Sequence, residues 1–394
     1  MASNKKKLWI KQQKQRQKTI ARRKRSALCW CGSGKKYEHC HLGRGNEPPQ
    51  KISDVIEELN KTFSKKMCLC PEEWKNNCDG SIVWAHTVSK RMLEKIGVGG
   101  HVYGLNKHFG ALVSNKGKLR FEKMGINKAS VFTGFCSKHD FEIFKSIENE
   151  RFEISEKSAF LLAYRALCYE YFTKKAALET TPFMSQLDKG RPVPEQAYFQ
   201  EMIKNMKIGF ETARRDQKVR KEQYDKMLIS EDFEKIKYYS VELSTLPSLM
   251  CSGCINPSFD FQGNRLQNLA DLEIECESIS LSVIANDENR GLIVLAWVGR
   301  DDGPCDKFVR SYHQLTDYQK AQSIIRFAFE YLENKYLNID WWDSLDKKIR
   351  DSLYKRQEIA TNVMVGRKAD CLADDATHYV EWKIIDFHSN IIQM

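Results

Sequence analysis

The sequence CWCGSGKKYEHCH, which occupies residues 29–41, is the most informative stretch of the chain. Its candidate metal ligands are the thiols of Cys29, Cys31 and Cys40 and the imidazole of His41. Zinc prefers four such ligands in tetrahedral geometry. The two glycines allow a tight turn that directs the first pair of thiolates at one ion. A segment this short has no core of its own, so it would need the metal in order to fold. The alternative is a flexible tail with reduced, free cysteines.

This stretch closely resembles the SEC-C motif, a short zinc module first noted at the C-terminus of the SecA translocation ATPase. The family pattern is Cys-x-Cys-Gly-Ser-Gly-Lys-Lys-Tyr followed by an adjacent Cys-Cys or Cys-His pair, and Cys40-His41 supplies that pair. The resemblance implies a zinc-binding interaction module rather than an enzyme. We assign this module to residues 27–46.

The positive charge of the chain is concentrated before the motif. The 394 residues carry a formal net charge of +11, and residues 1–25 hold eleven basic side chains and no acidic one. The remainder is therefore neutral. We predict that residues 1–26 form a basic arm that binds nucleic acid or the ribosome, with a salt-dependent affinity. The alternative is a charged tail that only aids solubility. The predicted contact residues are Lys11, Lys14, Arg16, Lys18, Arg22, Arg23, Lys24 and Arg25.

A second, looser set of metal-ligand residues follows between residues 68 and 139. Cys136 and His139 have two-residue spacing and directly precede a helical pattern, as in the second half of a treble-clef zinc site. The first half would come from an upstream cysteine cluster. The set is larger than one zinc ion needs, so at least one member is spare, structural or catalytic. Its members are Cys68, Cys70, Cys78, His86, Cys136 and His139.

This second set resembles HNH-type endonucleases, in which a β-hairpin carrying a catalytic histidine lies between two pairs of zinc ligands. The resemblance implies that His86 is the general base and that Asp140 holds a catalytic Mg²⁺ or another divalent ion. It also implies structural zinc bound by Cys68, Cys78, Cys136 and His139. The alternative is a purely structural zinc knob in which His86 is a ligand or a core residue.

The match departs from the HNH pattern in three ways. Ala85 precedes the histidine where the family has an acidic residue or another histidine, Val131 replaces the usual asparagine, and the insert between the two halves is long. Residues 78–148 also resemble uncharacterised bacterial proteins that often carry an N-terminal SEC-C motif. That second resemblance implies a shared architecture without an activity.

The remaining sequence predicts an α+β multidomain protein. We expect an HNH-like ββα zinc domain over residues 51–150, and an α+β region over 155–394 with helices before and after an antiparallel sheet. Residues 155–227 have helical periodicity, whereas 236–300 alternate with period two. Within the alternating part we predict a strand from Leu272 to Cys276, in addition to one that begins at Ile279.

Composition limits the class of protein. The longest apolar run, Leu292–Val298, is too short to span a bilayer, and the N-terminal basic stretch is not followed by the apolar segment of an export signal. Clustered cysteines of this kind are typical of metal sites in a reducing compartment. The sequence therefore predicts a cytoplasmic, zinc-binding, nucleic-acid-associated protein without membrane contact. Two functions remain open: an HNH-like endonuclease, for which the resemblance suggests anti-phage defence, and a non-enzymatic adaptor that binds the ribosome or a protein partner.

Overall fold

The computed structural model describes residues 24–148, 152–269, 271, 273–286, 288–361 and 366–392. Two compact units account for them. The N-terminal unit contains the described residues up to Phe63 together with Lys175–Ala213, and the main unit contains Ser64–Lys174 and Arg214 onward. A helical hairpin from the middle of the chain thus groups with the N-terminal residues.

The described chain alternates helices and antiparallel strands. The helices are α1 (Ile52–Phe63), α2 (Lys90–Ile96), α3 (Phe109–Ser114), α4 (Ser137–Glu148), α5 (Glu156–Met184), α6 (Val193–Ser230), α7 (Pro304–His313), α8 (Asp317–Tyr331), α9 (Ile339–Ser344) and α10 (Lys347–Thr361). The strands are β1 (Ile82–His86), β2 (His101–Leu105), β3 (Phe121–Gly125), β4 (Val131–Cys136), β5 (Lys237–Leu243), β6 (Leu249–Ile255), β7 (Ile279–Ala285), β8 (Gly291–Trp297), β9 (Lys335–Leu337) and β10 (Ile384–Ser389). The expectation of an α+β fold with an antiparallel sheet is confirmed.

An eight-stranded sheet with the order β10-β5-β8-β7-β6-β9-β2-β3 forms the centre of the main unit. All of its strand pairs are antiparallel. Every residue of β7 and β8 is buried, which explains why their sequences are almost continuously apolar. Side chains of α5 pack with one set of sheet residues, and those of α7 and α8 pack with the other set. The sheet is therefore covered on both faces.

The long insert in the predicted HNH-like region contributes to this sheet. Its strands β2 and β3 pair with each other, and β2 also pairs with β9, where Tyr103 lies opposite Leu337. The sequence did not predict this pairing. The predicted strand at Leu272–Cys276 is wrong for its described part: Ile274 is 60% exposed, and the strand begins at Ile279.

A separate two-stranded sheet precedes α4. In it β1 pairs antiparallel with β4, and the register shifts between Val83 and Ala85. Trp84 lies in this bulge with 63% of its surface exposed. Cys136 at the end of β4 lies opposite Ile82 and runs directly into α4, so the start of β1 lies close to the start of α4, whereas His86 at the end of β1 lies opposite Val131. None of the helices in the described ranges is both long and apolar enough to cross a membrane.

Candidate metal centres

The first candidate centre lies in the N-terminal unit. Its four ligand atoms lie within 4.8 Å of one another and come from Cys29, Cys31, Cys40 and His41. The loop that carries them is closed by backbone hydrogen bonds from Cys29 N to the Lys35 carbonyl (2.7 Å) and from Tyr37 N to the Ala27 carbonyl (2.8 Å). Gly32 and Gly34 have positive φ values of 80° and 74°, so the turn requires the conformational freedom that only glycine readily has.

The separations between these atoms fit a single zinc ion. Tetrahedral zinc with thiolate and imidazole ligands places the ligand atoms roughly 3.6–3.8 Å apart. Cys31 Sγ lies 3.5 Å from Cys40 Sγ, and His41 Nδ1 lies 3.2 Å from the Sγ atoms of Cys29 and Cys40. Three sulfurs and one nitrogen form a donor set that zinc favours. The cluster could therefore hold a zinc ion.

The outward nitrogen of His41 has a buried partner that the sequence did not predict. Its Nε2–H donates to Asp188 Oδ2 at 2.9 Å, and this hydrogen bond leaves Nδ1 directed at the three sulfurs. Burial opposes protonation of His41, but the hydrogen bond to Asp188 and the interactions with Cys31 and Cys40 together outweigh it and raise the pKa of the imidazole to about 9. A metal ion bound at Nδ1 would displace the second proton. Asp188 lies 147 residues along the chain, and no local spacing connects it with the motif.

The second candidate centre lies in the main unit. Cys68, Cys78, Cys136 and His139 place their ligand atoms within 4.8 Å of one another. His139 Nδ1 lies 3.2 Å from Cys136 Sγ, 3.5 Å from Cys78 Sγ and 3.6 Å from Cys68 Sγ. Trp74 stacks on the His139 ring with 6.1 Å between the centroids. This cluster also has the composition and spacing for zinc.

Cys70 lies beside the second centre but outside its four ligand atoms. Its Sγ lies 3.8 Å from Cys78 Sγ, and the side chain is 2% exposed. A hydrogen bond between Cys70 and Cys68 lowers the pKa of Cys68 to about 4 and raises the pKa of Cys70 well above its usual value. Cys70 therefore suits the role of a thiol that donates to a ligand sulfur, rather than that of a ligand.

His86 also lies outside the four-atom set of the second centre. It ends β1, and its buried Nε2 has no hydrogen-bond partner among the described residues. Burial is the main cause of a lowered pKa for this imidazole, and the positive charges of Arg165 and Lys90 act in the same direction. A histidine in this state is neutral at physiological pH and can accept a proton.

Asp140 lies in the first turn of α4 and has a similar environment. Its buried Oδ1 has no hydrogen-bond partner within the described ranges. Burial raises the pKa of this carboxyl to about 6, with further contributions from the negative charges of Glu148 and Cys68 and an opposing one from Arg165. Asp140 and His86 thus interact with the same Arg165 and Glu148, which indicates that one charged cluster surrounds both residues.

Arg165 of α5 completes this cluster, and the sequence did not predict its presence there. Its guanidinium is 2% exposed, donates from Nη1 to Glu148 Oε1 at 2.8 Å and lies 3.9 Å from the Phe144 ring centroid. Its Nε and Nη2 atoms have no hydrogen-bond partner in the described part of the chain. Buried polar atoms without protein partners commonly face water or an ion.

The predicted nucleic-acid contacts mostly precede the described residues. Lys24 and Arg25 are described, and both are exposed. The other predicted contacts lie outside the described residues: Lys11, Lys14, Arg16, Lys18, Arg22 and Arg23.

Comparison with known proteins supports the first centre alone. The SEC-C motif family matches residues 25–43, which include all four atoms of the first cluster. The resemblance inferred from the sequence is confirmed for this motif, which covers a small fraction of the chain. Neither the curated proteins nor the solved structures gave a match.

Proposed function

We propose that this chain is a zinc-binding, nucleic-acid-associated protein whose β1, β4 and α4 form an HNH-like, metal-dependent endonuclease site. The observation that carries the proposal is a pair of unpartnered buried atoms, one at the end of β1 and one in the first turn of α4, whose residues share Arg165 and Glu148 as charged neighbours. The two atoms are His86 Nε2 and Asp140 Oδ1, and the second Cys/His cluster lies at the helix start that carries Asp140. Phosphodiester hydrolysis needs a general base for the attacking water and a carboxylate for the divalent ion, and these two residues offer both groups.

Each side chain of this site has a role that its environment supports. Neutral His86 accepts the proton of the attacking water, because its lowered pKa leaves the imidazole unprotonated at neutral pH. Asp140, once ionised, holds the divalent ion. Such an ion stabilises negative charge on the phosphate and on the leaving oxygen. Arg165 offers Nε and Nη2 to a phosphate oxygen, while Glu148 and the Phe144 ring fix its orientation.

The second Cys/His cluster supports the site in this proposal. Zinc bound there holds the end of β4, the start of α4 and the upstream cysteine segment together. The basic arm supplies affinity for nucleic acid, because each phosphate that it neutralises releases counterions. Its binding should weaken steeply with salt. The reduced cysteine ligands fit a cytoplasmic protein, and defence against phage remains the biological context that we propose.

The test is cleavage by the purified full-length protein of double-stranded DNA, single-stranded DNA and RNA, each with Mg²⁺ or Mn²⁺. His86→Ala should reduce cleavage by roughly 10²–10⁴-fold, because it removes the general base. Asp140→Asn should reduce cleavage and raise the concentration of divalent ion that cleavage requires. His101→Ala is the matched control, since His101 is an exposed histidine at the start of β2. Zinc content should be unchanged in all three variants. Equal cleavage by the wild type and by His86→Ala would refute the proposed role of the histidine.

A non-enzymatic adaptor is the second candidate, and one observation favours it. The motif at residues 25–43 exposes two apolar side chains, Leu28 at 61% and Leu42 at 40%. Exposed apolar groups on a small zinc module suit contact with a protein or ribosomal partner. Replacing both leucines by Ser should abolish partner binding in an adaptor. The same change should leave nucleic-acid cleavage intact in a nuclease.

A further inference from the structure

Asp188 is a fully buried carboxylate in the turn between α5 and α6. It has 0% of its surface exposed and accepts three hydrogen bonds within the N-terminal unit. The donors are His41 Nε2 (2.9 Å), Arg44 Nε (2.6 Å) and Gln200 Nε2 (2.8 Å). A buried carboxylate is stable only when it is paired and hydrogen-bonded. All three hydrogen bonds therefore stabilise the Asp188 carboxylate in its buried position.

We propose that Asp188 is the positioning carboxylate of the first metal centre, and that metal binding at residues 29–41 locks the α5–α6 turn onto residues 41–49. The assignment does not depend on nuclease activity. It depends only on metal binding by the four-atom cluster, whose donor set and spacing fit zinc. Asp188 acts through His41 and does not itself ligate the metal.

The orientation of His41 connects Asp188 with the metal centre. The imidazole has one nitrogen toward the sulfurs and the other toward Asp188. A carboxylate that accepts from the outer N–H fixes the tautomer and the ring plane, and it makes the inner nitrogen a better donor to a metal. Removal of such a partner typically weakens metal binding by about 10–100-fold.

The turn also contacts the segment that follows the motif at several points. Gly190 N donates to the Arg44 carbonyl at 3.1 Å, and Arg44 Nη2 donates to the Ser185 carbonyl at 2.9 Å. Lys189 Nζ lies 3.1 Å from Glu47 Oε2. Arg44 is 7% exposed, so its charge needs Asp188 as a partner. The segment after His41 is therefore fastened to the turn.

Thermodynamic linkage connects the metal centre with the turn. If a fixed turn favours metal binding through Asp188, metal binding must favour the fixed turn by the same factor. Loss of the metal frees the four ligand residues, and a short segment without its own core then loses its fold. The turn would lose His41 as a partner, and its amides would exchange with solvent more readily.

The first test measures zinc release from full-length protein in competition with a chromogenic chelator. Wild type should release zinc in two phases, which Cys31→Ser and Cys136→Ser assign to the first and second centres. Asp188→Asn, which keeps the shape of the side chain, should weaken the first centre by about 10–100-fold and leave the second unchanged. Gln200→Leu is the matched control, because it removes one partner of Asp188 without contact to His41. It should change zinc release far less. An equal effect of both variants would overturn the assignment, as would no effect of Asp188→Asn.

The second test separates a positioning role from a purely structural one. With Co²⁺ in place of zinc, Asp188→Asn should shift the ligand-field absorption bands of the first centre, and Asp188→Glu should restore part of the shift. Unchanged bands would mean that Asp188 supports only the fold.

The third test measures the linkage between metal binding at the first centre and order in the α5–α6 turn, in protein that retains Asp188. Cys31→Ser should increase amide hydrogen exchange at residues 185–192, and Cys136→Ser should not. Unaltered exchange at the turn after loss of the first zinc would refute the locking of the hairpin.

Discussion

Gly190 offers the sharpest test of how residues 44–49 and the α5–α6 turn fit together. Its φ is +71°, and a Cβ atom there would lie 2.7 Å from Pro49 Cγ and 2.9 Å from the Glu47 carbonyl oxygen. The left-handed conformation costs an alanine about 1–2 kcal/mol. Relief of the contact must shift Pro49 or Glu47, which endangers the hydrogen bond from Gly190 N to Arg44, a further loss of about 1 kcal/mol. We expect Gly190→Ala to destabilise the docked turn by roughly 2–3 kcal/mol.

The control for this change is Gly209→Ala. Gly209 lies inside α6 of the same unit, and a Cβ atom added there would meet no other atom within 4 Å. Alanine is the better helix former by about 1 kcal/mol, so this substitution should stabilise rather than destabilise. The two glycine-to-alanine changes therefore have opposite predicted signs.

Native-state hydrogen exchange measures the effect locally, which matters because a chain with two units does not unfold in one step. Amides of residues 185–192 should lose protection by roughly 30-fold to 150-fold in Gly190→Ala. Adding Pro49→Ala to Gly190→Ala should restore only the protection that was lost through contact with the proline ring. The strained backbone conformation of residue 190 and its contact with Glu47 would remain. A loss below threefold, or a comparable loss in Gly209→Ala, would refute the packing argument.

Three further predictions concern the main unit. Cys136→Ser should reduce the zinc content from two ions to one per chain, measured by elemental analysis, and lower the unfolding midpoint of the main unit; two ions retained would contradict the ligand assignment. Burial lowers the pKa of Lys335 to about 7, so the folded state binds fewer protons than the unfolded state between that pH and about 10. In urea denaturation, the free energy of unfolding of the wild type should rise by about 1.4 kcal/mol per pH unit relative to that of Lys335→Met over this range. The same pH dependence of this free energy in both proteins would disprove the prediction. His86 must be neutral to act as a base, and its pKa is lowered, so the cleavage rate should be constant above pH 7. In acid the rate should fall at least tenfold per pH unit, and a rate that rises toward acid would exclude this base.

Local spacing was enough to predict the composition of the first metal cluster. The four ligands of this cluster lie within residues 29–41, and the turn between them requires only that Gly32 and Gly34 adopt positive φ values. Spacing also marked half of the second cluster, because Cys136 and His139 stand at a helix start where two-residue spacing puts both side chains on one side. The other half, Cys68 and Cys78, followed from the resemblance to HNH-type endonucleases.

Partners that are distant in the sequence were not accessible. Asp188 lies in a hairpin turn and Arg165 on a helix whose periodicity indicates only core packing, so nothing nearby marks either as a partner of His41 or His86. The pairing of β2 with β9 was missed for the same reason. At Ile274 an alternating pattern predicted a strand, but period two alone does not supply a neighbouring strand, and the chain there is hydrogen-bonded irregularly, as between Gln267 and Glu277.

The antiparallel pairing of β2 with β9 has a consequence for biosynthesis. Residues 101–105 leave the ribosome long before residues 335–337, and at roughly 5–20 residues per second the interval is about 10–50 seconds. During that time β2 has only β3 as a neighbour from its final sheet. The insert that joins β1 to β4 therefore reaches its final support late in synthesis. A prematurely terminated chain would carry all the metal ligands and the proposed catalytic side chains, yet lack the strand that holds their connecting segment in place.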